Sequence, residues 1–253
     1  MTTDSQSLKN EPGESPLRLV TERTGAAVSA AVEKQFVNFQ FLRVGSEWRK
    51  LDAETKREFK SEFQSVFDAF RDDFLLYSYS LVGFDSKADL MFWRVGQSLD
   101  AIQDMTVKLY RTNLGSYLET VDNYLSVTKR MMFVDGPSED RLHVPAGMSK
   151  YLFMYPCSKH SDWFQMTPEM RDAMIEENFM VGKKFPNIKI HLTHAFGFND
   201  HDYLVSFETD EPRDFLALVE ELRHTPASKF TFCGMPVYTC RQRALMDCLD
   251  ALG

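Results

Sequence analysis

The chain has 253 residues, of which 43% are apolar and 26% are charged, which excludes a collagen-like repeat and a small disulfide scaffold. Its net charge of −8 gives no overall attraction to nucleic acid or to anionic lipid. No segment contains the ~20 apolar residues that a transmembrane helix requires. The composition therefore favours a globular protein with neither a nucleic-acid partner nor a membrane span.

The first 33 residues and the cysteines indicate the compartment. Residues 1–33 begin with a polar run that lacks the apolar core of a secretory signal, so we expect a disordered tail. The four cysteines, Cys157, Cys233, Cys240 and Cys248, form neither a CxxC pair nor a CxxCH haem-attachment motif. We expect reduced thiols in a cytoplasmic protein.

The first half of the chain alternates strand and helix patterns. The predicted order is a strand at 37–44, a helix at 51–70, strands at 75–84 and 88–95, a helix at 98–114 and a strand from residue 117. Phenylalanines 59, 63, 67 and 70 follow helical spacing, and Asp52 is a plausible N-cap because its carboxylate can accept free backbone N–H groups.

The second half repeats this order. The predicted elements are a strand at 150–156, a helix at 167–185, strands at 188–198 and 202–210, a helix at 211–224 and a strand at 230–240. Thr167 is the predicted N-cap of the first of these helices, and Pro168 occupies its first position.

Each half therefore follows the β-α-β-β-α-β order of a ferredoxin-like unit. Residues 82–93 (VGFDSKADLMFW) align with 196–207 (FGFNDHDYLVSF), which places Gly83 opposite Gly197 at an offset of 197 − 83 = 114. We predict an α+β fold made of duplicated ferredoxin-like halves, whose antiparallel sheets form a barrel-like body with outer helices. The predicted division is a disordered tail at 1–33, an N-terminal half at 34–130, a linker at 131–149 and a C-terminal half with a ligand pocket at 150–253.

One polar residue interrupts an apolar helix stripe in the second half. The stripe is formed by Met170, Met174, Asn178, Val181 and Phe185. A polar side chain in this position must find a partner or face a cavity. Asn178 therefore either hydrogen-bonds a neighbouring strand or points into a ligand site.

A second candidate site lies in YPCSKHSDWF (155–164), where a strand ends. Tyr155 could exchange a proton or an electron, and Lys159 could bind an anionic group. Alternatively, Tyr155 and Trp163 anchor the strand end and Lys159 lies in solvent.

The histidines of HLTHAFGFNDHD suggest a metal site only weakly. His191 and His194 point to opposite faces of a strand, and His201 falls in the predicted turn. Ile190, Leu192 and His194 share one face, which we predict lines the cavity. The chain contains no GxGxxG, Walker or GxSxG motif, so nucleotide binding and hydrolase triads have no support.

The second half resembles the chlorite dismutase family. The similarity lies in YPCSKHSDWF, MVGKKFP, GFNDHDYLVSFETDEPRDFLALVEELRHT and PVYTCR, and it extends over most of residues 35–243. Within that family the chain is similar to the coproheme decarboxylases of haem biosynthesis. The resemblance implies paired ferredoxin-like halves, a homopentamer, and haem or iron-coproporphyrin (coproheme) held in the C-terminal half.

The resemblance also implies residue roles. The Tyr-Pro-x-Ser-Lys motif of the decarboxylase branch carries a redox-active tyrosine and a lysine near a propionate, here Tyr155 and Lys159. The tyrosine radical attacks a propionate, which leaves as carbon dioxide and gives a vinyl group, with peroxide as the oxidant. Trp163 matches a pocket aromatic of the family.

Two positions depart from the family pattern. Where the family has a proximal histidine in His-x-x-x-Gly, this chain has Asn178-Phe-Met-Val-Gly182, and an amide is a poor iron ligand. Met174, one turn earlier, could approach the iron only as a weak ligand. The distal arginine of chlorite dismutases, or glutamine of many decarboxylases, aligns with Ile190, and a one-residue shift would offer Lys189 or His191.

Three functions follow from this combination. The first is a peroxide-dependent, coproheme decarboxylase-like oxidoreductase, favoured over a chlorite dismutase because the distal arginine is missing. The second is a non-catalytic tetrapyrrole carrier or sensor. The third is a haem-free structural or partner-binding relative, in which the bulky Phe179 fills the pocket.

Overall fold

The computed structural model describes residues 34–129, 133–134, 144–233 and 236–253. The predicted tail at 1–33 and most of the predicted linker at 131–149 lie outside these residues. The strands are β1 Phe36–Val44, β2 Phe74–Ser80, β3 Leu90–Gly96, β4 Leu118–Val127, β5 Phe133–Val134, β6 Val144–Pro145, β7 Tyr151–Lys159, β8 Lys189–His194, β9 Tyr203–Thr209, β10 Thr231–Cys233 and β11 Tyr238–Gln242. The helices are α1 Ala53–Asp68, α2 Leu99–Tyr110, α3 Ser161–Gln165, α4 Pro168–Lys183, α5 Pro212–Arg223 and α6 Leu245–Asp250, with 3-10 helices at Ser46–Lys50, Leu114–Tyr117 and Pro226–Phe230.

The two predicted helix caps are present. The Asp52 carboxylate accepts the backbone N–H groups of Glu54 and Thr55, both at 3.0 Å. The Thr167 hydroxyl accepts the N–H of Met170 at 3.4 Å. Both helices therefore begin where a local side chain satisfies N–H groups that the helix itself cannot.

Several predicted boundaries were wrong. The strand predicted at 75–84 ends at Ser80 and the one predicted at 188–198 ends at His194, because the chain turns there. The strand predicted at 230–240 is two strands, β10 and β11. Helices α3 and α6 were not predicted, because five and six residues are too few to display a helical period.

The sheet closes on itself, which gives the predicted barrel-like body. In the described residues nine strands follow the order β10-β7-β11-β2-β3-β1-β4-β8-β9, and β9 also pairs with β7. Within each half the order is fourth, first, third, second: β4-β1-β3-β2 and β11-β7-β9-β8. All these pairings are antiparallel, which is the ferredoxin-like arrangement repeated twice, so the predicted α+β fold is confirmed.

The two halves join where the last strand of one meets the second strand of the other. Strand β11 pairs with β2 through Arg241 opposite Ser80 and Gln242 opposite Tyr79. Strand β4 pairs with β8 through Val127 opposite His194. The duplication thus produces two corresponding seams.

The glycines that align across the repeat occupy corresponding turns. Gly83 has φ of 83° and Gly197 has φ of 82°, a left-handed conformation that glycine adopts without steric cost. In both turns the N–H groups of the first and second residues after the glycine donate to one carbonyl, of Leu81 and of Ala195 respectively.

Alternation along the strands separates an interior core from two outer cores. On β7, Leu152 and Met154 point into the interior, whereas Phe153, Tyr155 and Cys157 belong to the outer core of the C-terminal half. A corresponding outer core lies between the N-terminal half of the sheet and α1, α2 and α6. Among the described residues, no helix has the length and apolar character needed to cross a membrane.

Candidate functional site

Tyr155 lies in the outer wall of β7. Its ring stacks on that of Phe207 with centroids 5.7 Å apart, and the side chain is 8% exposed. Burial raises the pKa of the Tyr155 phenol well above its usual range. The hydroxyl is therefore protonated at neutral pH, and loss of an electron from this ring would have to be accompanied by loss of its proton.

Lys159 shares the outer face of β7 with Tyr155. Its ammonium donates to Thr231 Oγ1 at 2.7 Å and lies 4.0 Å from the ring centre of Trp163, which is buried in α3. The Lys159 backbone N–H donates to Asp202 at 2.7 Å and fixes the strand end. Lys159 is therefore held against the protein, contrary to the alternative that it lies in solvent, and burial lowers its pKa.

Helix α4 contacts the body mainly through its C-terminal part. Val181 and Phe185 pack against the outer core of the C-terminal half. Lys184, the C-cap residue of this helix, pairs with Glu221 of α5 at 2.5 Å. Met170 is 51% exposed, so the apolar stripe predicted from the sequence does not pack inward in the first turn of α4.

Asn178 carries a buried polar atom without a partner. Its Oδ1 is buried and accepts no hydrogen bond from the part of the chain that the structure describes. No described strand therefore donates a hydrogen bond to this oxygen. Phe179 is 58% exposed, with the Lys183 ammonium 4.5 Å from its ring centre, so it does not fill a pocket as the haem-free hypothesis supposed.

The outer face of β8 lies opposite α4. Ile190 Cδ1 is 3.3 Å from the position that a β-carbon on Gly182 would occupy. Asn178 precedes Gly182 by one helical turn and so lies on the same side of the helix. Ile190 and Leu192 are 40% and 48% exposed, which leaves an apolar wall beside the Asn178 amide.

The strand alternation separates Ile190 from its neighbours. His191 points into the interior, where it is 1% exposed, and Lys189 shares that face. If the distal position of the family aligned with Lys189 or His191 instead of Ile190, its side chain would point into the interior of the barrel, away from α4. His194 lies on the outer face with Ile190, is half-buried, and has its pKa lowered by burial and by the charges of Lys129 and Lys34.

These side chains have the chemistry that a flat apolar ligand with acidic groups would need. Ile190 and Leu192 supply an apolar surface, Lys159 supplies a cation, and Asn178 Oδ1 supplies a free acceptor. Met174 lies one turn before Asn178 and is half-buried. Among the described residues no group of three His, Cys, Asp or Glu side chains could hold a metal ion, so the three-histidine site is not formed.

Sequence reasoning missed two pairs of side chains. In the interior, His191 Nε2 lies 2.9 Å from Glu208 Oε2, and these residues are 1% and 0% exposed. On the outer face, Cys157 and Cys233 place their sulfur atoms 2.8 Å apart. The sequence signal for the His191–Glu208 pair was Glu208, a charged residue at an interior position of β9, but the sequence does not show which residue lies next to it.

Comparisons with known proteins identify the family. The family model described as chlorite dismutase matches residues 56–243. A chlorite dismutase from Ideonella dechloratans is 25% identical over 77% of this chain and 71% of its own length. A coproheme decarboxylase from Staphylococcus carnosus (strain TM300) is 24% identical over 66% of this chain and 71% of its own length.

The fold is shared with solved structures. A chlorite dismutase from Candidatus Nitrospira defluvii, solved in complex with imidazole, superposes with a TM-score of 0.78 at 24% identity, over 86% of this chain and 94% of the other. The repeated sheet order and a family match spanning most of the described residues lead to one assignment. The chain belongs to the chlorite dismutase family.

Proposed function

We propose that the protein is a haem- or coproheme-binding oxidoreductase that acts with peroxide in the manner of a coproheme decarboxylase. The observation that carries the proposal is that Tyr155 and Lys159 lie on the same outer face of β7, on the side of the sheet that faces α4 and α5. A phenol that can be oxidised and a cation on the same face of the strand would serve the decarboxylation of a propionate. The ligand would lie in the C-terminal half, between the outer face of β8 and α4.

The side chains of this chain have distinct roles in the proposal. Lys159 would pair with a propionate carboxylate, and Ile190 and Leu192 would cover the apolar ring. Tyr155 would give up an electron and its hydroxyl proton together, because the buried phenol still carries that proton when it is oxidised. The bound iron, with peroxide, would supply the oxidising equivalents. Asn178 Oδ1 would accept a hydrogen bond from a water molecule or bind the iron weakly.

A tetrapyrrole carrier or sensor without catalytic activity is the second candidate. The observation that favours it is the amide of Asn178 in α4, since an amide binds ferric iron less well than an imidazole. The close approach of Ile190 to Gly182 favours the third candidate, a haem-free relative, because it narrows the space between β8 and α4.

Spectroscopy separates these functions. Purified protein is titrated with ferric coproheme and with haem while the Soret band is recorded, and peroxide is then added and vinyl products are identified by mass spectrometry. We expect a Soret shift with coproheme and, after peroxide is added, a mass loss of one carbon dioxide and two hydrogens for each propionate that becomes a vinyl group. No shift with either ligand would leave the haem-free candidate, and a shift without vinyl product would leave the carrier.

A matched pair of variants tests Tyr155. Tyr155→Phe keeps the ring and should bind ligand normally but lose decarboxylation, because it has no hydroxyl proton to release. Tyr151→Phe, on the same face of the same strand and half-exposed, should keep full turnover. Unchanged turnover in Tyr155→Phe would eliminate Tyr155 as the redox residue.

We also propose a cytoplasmic homopentamer. All four cysteines of the chain are free thiols, as expected in a reducing compartment. Light scattering coupled to size-exclusion chromatography tests the assembly, and a monomer at micromolar concentration would contradict it.

A further inference from the structure

Two cysteines face each other across neighbouring strands of the C-terminal half. Cys233 of β10 is the direct antiparallel partner of Cys157 of β7, and the Cys157 thiol donates to Cys233 Sγ at 2.8 Å. Directly opposed residues of antiparallel strands have Cα atoms ~4.5–5.5 Å apart, within the ~4.4–6.8 Å that a disulfide spans. A bond between these sulfurs therefore needs no rearrangement of the backbone.

The two thiols differ in access to solvent. Cys157 is 3% exposed, whereas Cys233 is an exposed residue at the edge of the sheet. A small oxidant can therefore reach Cys233 directly, while Cys157 lies behind it within contact distance. The other two cysteines, Cys240 and Cys248, are both 0% exposed, and burial raises the pKa of each.

The charge distribution also favours reaction at Cys233. The hydrogen bond from Cys157 lowers the pKa of Cys233, and the positive charges of Lys159 and Arg223 lower it further. As the donor of that hydrogen bond, and because it is buried, Cys157 has its pKa raised. The thiolate, which is the reactive form, is therefore favoured on the exposed sulfur of Cys233 over the buried sulfur of Cys157.

We propose that Cys233 and Cys157 form a peroxide-oxidised dithiol, in which Cys233 attacks the peroxide and Cys157 resolves the product. The Cys233 thiolate attacks one oxygen of hydrogen peroxide, the O–O bond breaks, and the leaving hydroxide takes up a proton to become water. Cys233 is now a sulfenic acid. The Cys157 sulfur attacks Cys233 Sγ, an S–S bond forms, and the hydroxyl leaves as a second water with the Cys157 proton. Two thiols lose two electrons in total, and one peroxide is reduced to two waters.

This site adjoins the proposed tetrapyrrole site without depending on it. Cys157 lies between Tyr155 and Lys159 on the same face of β7, and Lys159 donates to Thr231, two residues before Cys233. A disulfide would tie β10 to β7 at this point. The dithiol would therefore react with peroxide, the oxidant that the proposed decarboxylation also consumes. Its own oxidation would require no bound tetrapyrrole.

The test uses the full chain without added tetrapyrrole. Reduced protein is treated with one equivalent of hydrogen peroxide, alkylated, digested without reductant and analysed by mass spectrometry. We expect a peptide pair joined through Cys157 and Cys233 that is two hydrogens lighter than the separate peptides. In Cys157→Ser the sulfenic acid on Cys233 should persist and be captured by dimedone.

Rates identify the attacking thiol. Cys233→Ser should slow peroxide consumption by about tenfold or more, because the remaining thiols are buried and protonated. Cys240→Ser and Cys248→Ser serve as matched controls and should react at the rate of the unmodified protein. Free thiols at both 157 and 233 after peroxide treatment, or an unchanged rate in folded Cys233→Ser, would overturn the proposal. The peptide analysis of the unmodified protein decides the question even if a variant does not fold.

Discussion

Breaking the interior pair of His191 and Glu208 should destabilise the protein severely. Both side chains are buried, and the His191 ring lies against Phe133 and Trp93 with ring centroids 5.2 Å and 5.6 Å away. Removing one member of such a buried pair leaves the other polar group without its partner, at a cost of about 3–5 kcal/mol. For a chain of this size, ~1 kcal/mol shifts the melting temperature by 2–4 °C, so His191→Leu or Glu208→Met should lower it by roughly 6–20 °C.

The double variant distinguishes pairing from simple packing. With both residues apolar, no polar group is left without a partner, so the combined change should be far less destabilising than the sum of the single changes, with a coupling free energy of at least about 3 kcal/mol. Urea unfolding followed by circular dichroism measures all four proteins.

A surface pair provides the control. Lys184 and Glu221 lie 2.5 Å apart, but their side chains are 61% and 40% exposed. Lys184→Met and Glu221→Met should each cost no more than about 1 kcal/mol, because water solvates whichever charge remains. The reasoning would be refuted if His191→Leu or Glu208→Met cost no more free energy of unfolding than the surface substitutions. It would also be refuted if the cost of the double variant equalled the sum of the two single costs.

Three further predictions concern the site and the repeat. Asn178→His should tighten binding of ferric coproheme and give a histidine-ligated absorbance spectrum, at an overpacking cost of ~1–3 kcal/mol; a folded variant that binds neither coproheme nor haem would mean that the pocket is absent. Gly83→Ala and Gly197→Ala should each lower the free energy of unfolding by about 1–2 kcal/mol, because alanine is strained at the positive φ of both positions. Both positions have open space around them, so no steric clash adds to this cost. Unequal losses in urea unfolding would argue against equivalent turns. Burial lowers the pKa of His194 in the folded state, so the unfolded state binds a proton at this residue more readily. The free energy of unfolding should therefore keep its full His194 contribution above about pH 7 and decrease as the pH drops through ~6.5. His194→Gln should reduce that loss in urea midpoints measured at high and low pH; an undiminished loss would assign it to other groups.

The sequence by itself determined the local elements and their repetition. Helix periods, the caps at Asp52 and Thr167 and the glycine turns at 83 and 197 depend on residues close together in the chain, so their patterns can be read without tertiary information. The repeated order then predicted a duplicated ferredoxin-like fold, because few other topologies suit two β-α-β-β-α-β units. The boundaries failed where a strand runs into a turn or a helix is very short.

Only the tertiary structure decided which residues meet. Strand alternation predicts that Ile190 and His191 lie on opposite faces of β8. The packing of α4 determines that the face carrying Ile190 is the one next to Asn178. Cys157 and Cys233 are 76 residues apart, and Glu208 and His191 are on different strands, so their pairing depends on the register of the sheet. Register is set by the combined burial of every side chain on the sheet, which no local pattern contains.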